Sequence, residues 1–234
     1  MAGRELRRRA DRLARATAFA GVETVTERSR SEYIRKQFWD AHSQLYRHEL
    51  LAETYWGGGA RWVIGQRDSV HSRCEIIAGI FGSLIVHGDY DVCRFAHGGG
   101  TPWDCLRWMA DHTDFGYYVM QKASIGTGHS HVWTFDADVA RHDLREFLAD
   151  RDEDEDFGAL KHLFEEVSAL DLESEAQLHA HLNESDLYHR YDLWECSFGR
   201  VPEFRVVVSW AALNKCAWLL REKYGHGGLP QCKK

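Results

Sequence analysis

Between Arg61 and Ala96 the chain is cut by glycines into short runs rich in Val, Ile and aromatic residues. The runs are Arg61 to Ile64, Cys74 to Phe81, Ser83 to Val86 and Asp91 to Phe95, with breaks at Gly65, Gly82 and Gly88-Asp89. Short β-branched runs bounded by turn residues predict antiparallel strands. Tyr117 to Gln121 and His131 to Phe135 are expected to add a further strand pair. Helical patterns flank this block on both sides, and one helix is inserted within it. The order predicts an α+β fold, an antiparallel sheet with one inserted helix and with N-terminal and C-terminal helices around it, and does not support a doubly wound sheet.

The helix boundaries carry their own chemistry. Arg4 to about Phe19 reads as a surface helix with a thin apolar stripe, interrupted by Gly21 and the β-branched run Val22 to Thr26. A second helix is expected to begin near Ser29 or Ser31, because Ser29 and Glu32 have the spacing at which each side chain satisfies the other's backbone donor. Its apolar positions Ile34, Phe38, Ala41, Leu45, Ala52 and Tyr55 carry it to the run Gly57-Gly58-Gly59. The inserted helix begins where Thr101 can cap, Pro102 fits the first turn and Asp104 favours the positive end. It turns Trp103, Leu106 and Met109 or Ala110 inward and stops near His112.

From Asp136 onward the reading is helical: Asp138 to Ala149, Phe157 to Leu170, Ser174 to Leu182. A last helix runs from near Pro202 to Gly225, with Val206, Trp210, Leu213, Ala217, Leu220 and Tyr224 on one face. The expected organisation is residues 1–135, holding the N-terminal helices and the sheet, and residues 136–234, an acidic and helical region packed on it as one compact unit.

With 234 residues, 44% of them hydrophobic, and 9 Trp, 9 Tyr and 11 Phe, the chain can bury a sizeable core, which argues against a disordered or collagen-like protein. No apolar stretch approaches a membrane span of about 18 residues, and the arginine-rich start lacks the apolar core of a signal peptide. A cytosolic protein without a membrane role is expected. The cysteines Cys74, Cys93, Cys105, Cys196, Cys216 and Cys232 form no C-x-x-C pair, so free thiols are expected rather than a disulfide framework or a paired-cysteine zinc site.

Charge is distributed unevenly. Residues 136–195 hold 19 Asp and Glu against 5 Lys and Arg, in a chain whose formal net charge is only −7. Such an imbalance bears on partners and long-range fields rather than on fold. Within it lie Asp150, Asp152, Glu153, Asp154, Glu155, Asp156, Glu165 and Glu166, with Tyr188, Tyr191 and Trp194 as aromatic anchors. Together these are the candidate partner-binding residues.

Other chemistry competes with this reading. Gly98-Gly99-Gly100-Thr101-Pro102 leads into a helix and can hold an anion, but no phosphate-loop or dinucleotide pattern accompanies it. Cys105 would lie in the first turn of that helix, where the dipole favours thiolate, with His87, His97 or His112 as base. His129 and His131, two apart on a strand, would share one face and chelate a metal with Asp114 or Asp136. Arg4, Arg7, Arg8, Arg9, Arg12 and Arg15 would follow a phosphate backbone, which the overall negative charge opposes. No cofactor signature is present, and a non-enzymatic role is favoured over a Cys105 or His129/His131 enzyme.

Gly82 to Gly126, reading GSLIVHGDYDVCRFAHGGGTPWDCLRWMADHTDFGYYVMQKASIG, covers about a fifth of the chain. This stretch resembles uncharacterised accessory proteins of tailed bacteriophages and prophages. The resemblance implies no catalytic residue. It implies an anti-defence inhibitor in the host cytoplasm, acting on a host nucleic-acid-handling complex such as a CRISPR effector. The acidic region would then dock on a basic surface of that complex.

Overall fold

The computed structural model describes residues 29–69, 73–79, 82–89, 91–96, 100–111, 122–125, 132–152 and 154–225. The expected arginine helix, the expected strand Tyr117 to Gln121, and Asp114, His129 and His131 lie outside the described residues. The first described helix is α1 (Arg30–Leu45). It opens on the anticipated capping box: the Ser29 amide donates to Glu32 Oε2 at 3.0 Å, and the Glu32 amide donates to Ser29 Oγ at 3.3 Å.

α1 stops at Leu45, ten residues short of the expected end at Tyr55. Residues Glu49–Trp56 instead form strand β1, paired antiparallel with β2 (Gly59–Gly65). Ala52 and Tyr55 fit a helical stripe, yet the glycine run supplies the turn of a hairpin, with Gly58 at φ 83°. Four further strands follow: β3 (Cys74–Ala78), β4 (Ser83–Gly88), β5 (Asp91–Ala96) and β6 (Ala123–Ile125). All pair as sequential antiparallel neighbours in the order β1-β2-β3-β4-β5-β6.

Register places one residue of each pleat in line. Trp62, Ile76, Val86 and Cys93 are successive partners and are buried. Their neighbours Arg61, Glu75, His87 and Arg94 point to the other face, where Arg61 pairs with Glu75. Against the buried face lie α2 (Pro102–Asp111), inserted between β5 and β6, and α7 (Phe204–Tyr224). In α2 the expected cap holds: the Asp104 amide donates to Thr101 Oγ1 at 3.2 Å, and the Thr101 amide donates to Asp104 Oδ2 at 3.2 Å. Those donors are therefore taken, and the anion reading of Gly98 to Pro102 loses them. Trp103, Leu106 and Met109 are buried as expected.

α7 is buried from Val206 through Leu213 without a break, more than the single expected apolar face. Trp210 Nε1 donates to the Met109 carbonyl oxygen at 3.0 Å, so the indole is buried with its donor satisfied. Gly225, at φ 76°, ends the helix.

α7 is fastened to β1 through Glu53. Its carboxylate accepts from Tyr55 Oη at 2.9 Å, from the Lys223 ammonium and from Tyr224 Oη. Burial pushes the Glu53 pKa up, but the bonds from Lys223, Tyr224 and Tyr55 outweigh it and hold the group below its ordinary 4.5. A depressed carboxylate stabilises the fold above the unfolded-state value and ceases to do so as pH falls through the folded-state value. Glu53→Gln is expected to cost about 1–2 kcal/mol at neutral pH and to flatten the acid limb of stability. Urea midpoints measured across the acid range check this; an unchanged acid limb contradicts it.

The second set of elements is helical: α3 (Ala137–Ala149), α4 (Phe157–Ser168), α5 (Glu175–Leu182), a single turn α6 (Leu187–Arg190) and a 3₁₀ turn Leu193–Glu195. Caps begin α3 and α5, where Asp136 Oδ1 accepts from the Val139 amide at 3.0 Å and Ser174 Oγ from the Gln177 amide at 3.2 Å. Leu144, Leu160, Phe164, Leu178, Leu182, Leu193 and Phe198 form its core, with the rings of Phe147, Phe164 and Phe198 in mutual contact. Two short strands, β7 (Trp133–Phe135) and β8 (Arg200–Pro202), pair with each other.

The described residues divide into two compact units, one from residues 29–33 and 134–201, the other from residues 34–133 and 202–225. A single cut after residue 135 does not describe this, because α7 shares the hydrophobic core of the sheet. In chain order the helical unit's elements, α3 through β8, fall between β6 and α7. Among the described residues no helix is long and apolar enough to cross a membrane.

Candidate functional site

The helical unit contains an open cleft of about 560 Å³ built from α5, α6, the 3₁₀ turn and β8. Its floor begins at the capped start of α5. Glu175 takes a two-pronged contact from Arg200, with Nη2 to Oε1 at 2.9 Å and Nε to Oε2 at 3.3 Å. One turn further along, His179 lies above Glu175, with Nε2 3.9 Å from Oε1. The other ring nitrogen, Nδ1, is 3.3 Å from Tyr188 Oη. Nδ1 is thus in hydrogen-bond reach of Tyr188, while Nε2 lies within ion-pair distance of Glu175 only.

The rim is formed by Trp194 and Glu195. Trp194 is 54% exposed, and its Nε1 donates to Asp192 Oδ1 at 3.3 Å. Asp192 holds a left-handed backbone at φ 49°, a conformation Asp tolerates better than most residues. The half-buried Cys196 thiol points to the Asp192 carbonyl oxygen at 3.8 Å, and burial pushes its pKa up. The raised pKa favours the thiol over the thiolate at Cys196.

The acidic connection is tied to α6, which contributes Tyr188 to the cleft. Asp156 pairs with Arg190 of α6, and the Tyr191 hydroxyl has its pKa raised by burial and then by the charges of Asp156 and Asp154. Asp150, Asp152, Asp154 and Glu155 are exposed; Glu153 lies outside the described residues. Glu165 and Glu166 are exposed on α4, with Lys161 at 3.9 Å and His162 at 3.4 Å one turn back. Of the three aromatic candidates, Tyr188 and Tyr191 are half-buried and Trp194 is exposed. The structure therefore ties Asp156 to α6, which contributes Tyr188 to the cleft, places Asp154 and Asp156 where their charge reaches Tyr191, and leaves Glu165 and Glu166 on α4.

The competing chemistry fares differently. Cys105 is fully buried within the core of the sheet unit, and burial pushes its thiol up. Desolvation outweighs the helix dipole there, which corrects the expectation of an activated thiolate. His87 is exposed on the outer face of β4, away from that core, while His97 and His112 lie outside the described residues. Cys74 and Cys93 are likewise buried, with thiols raised to about 11 and about 12. Asp136, an expected metal ligand, uses a carboxylate oxygen for the α3 cap. Among the described residues no group of three or more His, Cys, Asp or Glu side chains is arranged to hold a metal.

Sequence reasoning does not single out Glu175 or Arg200, and takes Cys196 only as one of the free thiols. The spacing of Glu175 and His179 on a capped helix is a readable signal for a shared face. Nothing local announces that Arg200, on a three-residue strand, meets them. Compared with known proteins, the chain matches no family model, no curated protein and no solved structure.

Proposed function

We propose that the chain is a non-enzymatic binding protein whose helical unit docks, through exposed carboxylates, on a basic protein surface that otherwise holds nucleic acid. One observation carries the reading: among the described residues, arginines of this unit are engaged internally while many of its acids are not. Arg30 donates to Asp143 and the Ser197 carbonyl oxygen, and Arg141 to Asp138 and to the carbonyl oxygens of Ser168 and Leu170. Arg151 stacks on Phe147 at 3.5 Å, Arg190 pairs with Asp156, and Arg200 with Glu175. Asp150, Asp152, Asp154, Glu155, Glu173 and Glu195 are exposed and make no ion pair among the described residues. Such a field raises encounter rates with a basic partner and selects against acidic ones.

The partner in this reading is a host nucleic-acid-handling complex, and the role is anti-defence, as the central segment's resemblance to phage accessory proteins implies. Expression of the chain in bacteria immunised by a CRISPR effector tests it. Plating of the targeted phage is expected to rise with the wild-type chain. It should return toward the immune level when Asp150, Asp152, Asp154 and Glu155 are replaced by Asn and Gln. Unchanged plating with the wild-type chain across the CRISPR types tried would overturn the anti-defence role.

A further inference from the structure

We infer that the cleft of the helical unit receives an arginine side chain of the partner, its guanidinium laid on the Trp194 indole and paired with the Glu195 carboxylate. This rests on the reading of the helical unit as a docking surface for basic proteins, and it names what the cleft itself recognises.

Three features of the cleft converge on a planar cation. Trp194 leaves more than half of its surface open, at 54% exposure, while the bond from its Nε1 to Asp192 at 3.3 Å ties down the ring edge. An indole face is the best aromatic partner for a cation, and guanidinium is the cation most often found there. Glu195, the adjacent residue on the same 3₁₀ turn, is exposed and makes no ion pair among the described residues. Both side chains line the same cleft, so Glu195 offers a carboxylate to a cationic guest held there.

The remaining charges in the cleft cancel. Glu175 and Arg200 satisfy each other through two contacts, so Arg200 neither draws an anion strongly nor leaves a bare positive charge facing the guest. A phosphate or carboxylate ligand would meet Glu195 in the cleft and the field of the acidic connection, which the Arg190–Asp156 pair fastens to α6. A basic segment meets the opposite situation: one arginine enters the cleft while flanking cations lie over Asp152, Asp154 and Glu155. The cleft, about 560 Å³, accommodates a side chain and part of its backbone.

The test uses three capped peptides of otherwise identical lysine-rich sequence, carrying arginine, lysine or citrulline at one central position, titrated calorimetrically into the full chain. Wild-type protein is expected to bind the arginine peptide about five- to tenfold more tightly than the lysine peptide. The citrulline peptide is expected to bind no more tightly than the lysine peptide, having lost a charge. Trp194→Ala, at an exposed position, should lower affinity for the arginine peptide more than for the lysine peptide and so bring the two to within about twofold of each other, and Glu195→Gln should reduce the preference without touching the indole. Equal affinity of wild type for the arginine and lysine peptides, or a preference that survives Trp194→Ala, overturns the assignment of the cleft and leaves the acidic docking surface standing. Failure of all three peptides to bind at low salt overturns both.

Discussion

Gly199→Ala is expected to destabilise the helical unit by about 3–5 kcal/mol, a large effect for the addition of a single methyl group. Gly199 sits at φ 70°, where an L side chain is strained. An added Cβ would also lie 2.6 Å from Ala140 Cβ, 2.7 Å from Phe135 Cε2 and 2.8 Å from the Asp136 carbonyl oxygen. That oxygen accepts the Ala140 amide at 2.9 Å, the first bond of α3, so the clash falls on backbone that cannot swing away. The glycine's own amide donates to Asp143 Oδ2 at 2.9 Å, the same oxygen that takes the Arg30 guanidinium at 3.0 Å. Displacing the turn therefore also loosens a carboxylate that organises two donors. Chemical denaturation followed by far-ultraviolet circular dichroism reads the effect; a loss below about 1 kcal/mol would show that the turn relaxes freely.

The second large effect concerns recognition. Replacing Asp150, Asp152, Asp154 and Glu155 by Asn and Gln is expected to weaken binding of a lysine- and arginine-rich peptide by about ten- to a hundredfold at low salt. Exposed ion pairs contribute about 0.2–1 kcal/mol each, so four removed together amount to about 1–3 kcal/mol. None of the four is an ion-pair partner among the described residues of the unit, so stability should change little. The control replaces Asp40, Asp68, Asp89 and Glu222, four exposed acids of the sheet unit, and changes the net charge equally. It is expected to weaken the peptide by less than about threefold, because binding is assigned to the carboxylates of the helical unit and not to the total charge. Equal losses in the two variants would mean that total charge, not its placement, governs binding.

Much of this architecture is legible where a single residue pair or a local run decides the outcome. Ser29 with Glu32 and Thr101 with Asp104 announce helix starts because a capping box is local chemistry, and Gly225 announces a stop for the same reason. Strands β2 to β5 follow from β-branched runs between glycines. β1 reads wrongly as helix because Leu45, Ala52 and Tyr55 fit a helical stripe; what overrides the pattern is pairing with β2 across the Gly57-Gly58 turn, a tertiary gain that no propensity contains. β7 and β8 are three residues each, too short to leave a pattern. The acidic surface is visible as charge counting. That Arg30, Arg141, Arg190 and Arg200 are each held by a named partner is not, since those partners lie from 3 to 167 positions away in sequence. The burial of Cys105 is equally hidden, and it reverses the chemistry that a helix start alone suggests.

The central claim, that the exposed carboxylates of the helical unit act as one outward field on a basic partner, is tested most directly by association kinetics. A fluorescently labelled lysine- and arginine-rich peptide is mixed in stopped flow with the wild-type chain and with the variant neutralised at Asp150, Asp152, Asp154 and Glu155. Salt is raised from about 0.01 M to about 0.15 M, over which the screening length shrinks from about 30 Å to about 8 Å. The wild-type association rate should fall by about tenfold or more, and the variant's rate should start lower and fall far less. Identical salt dependence in the two proteins would contradict the claim.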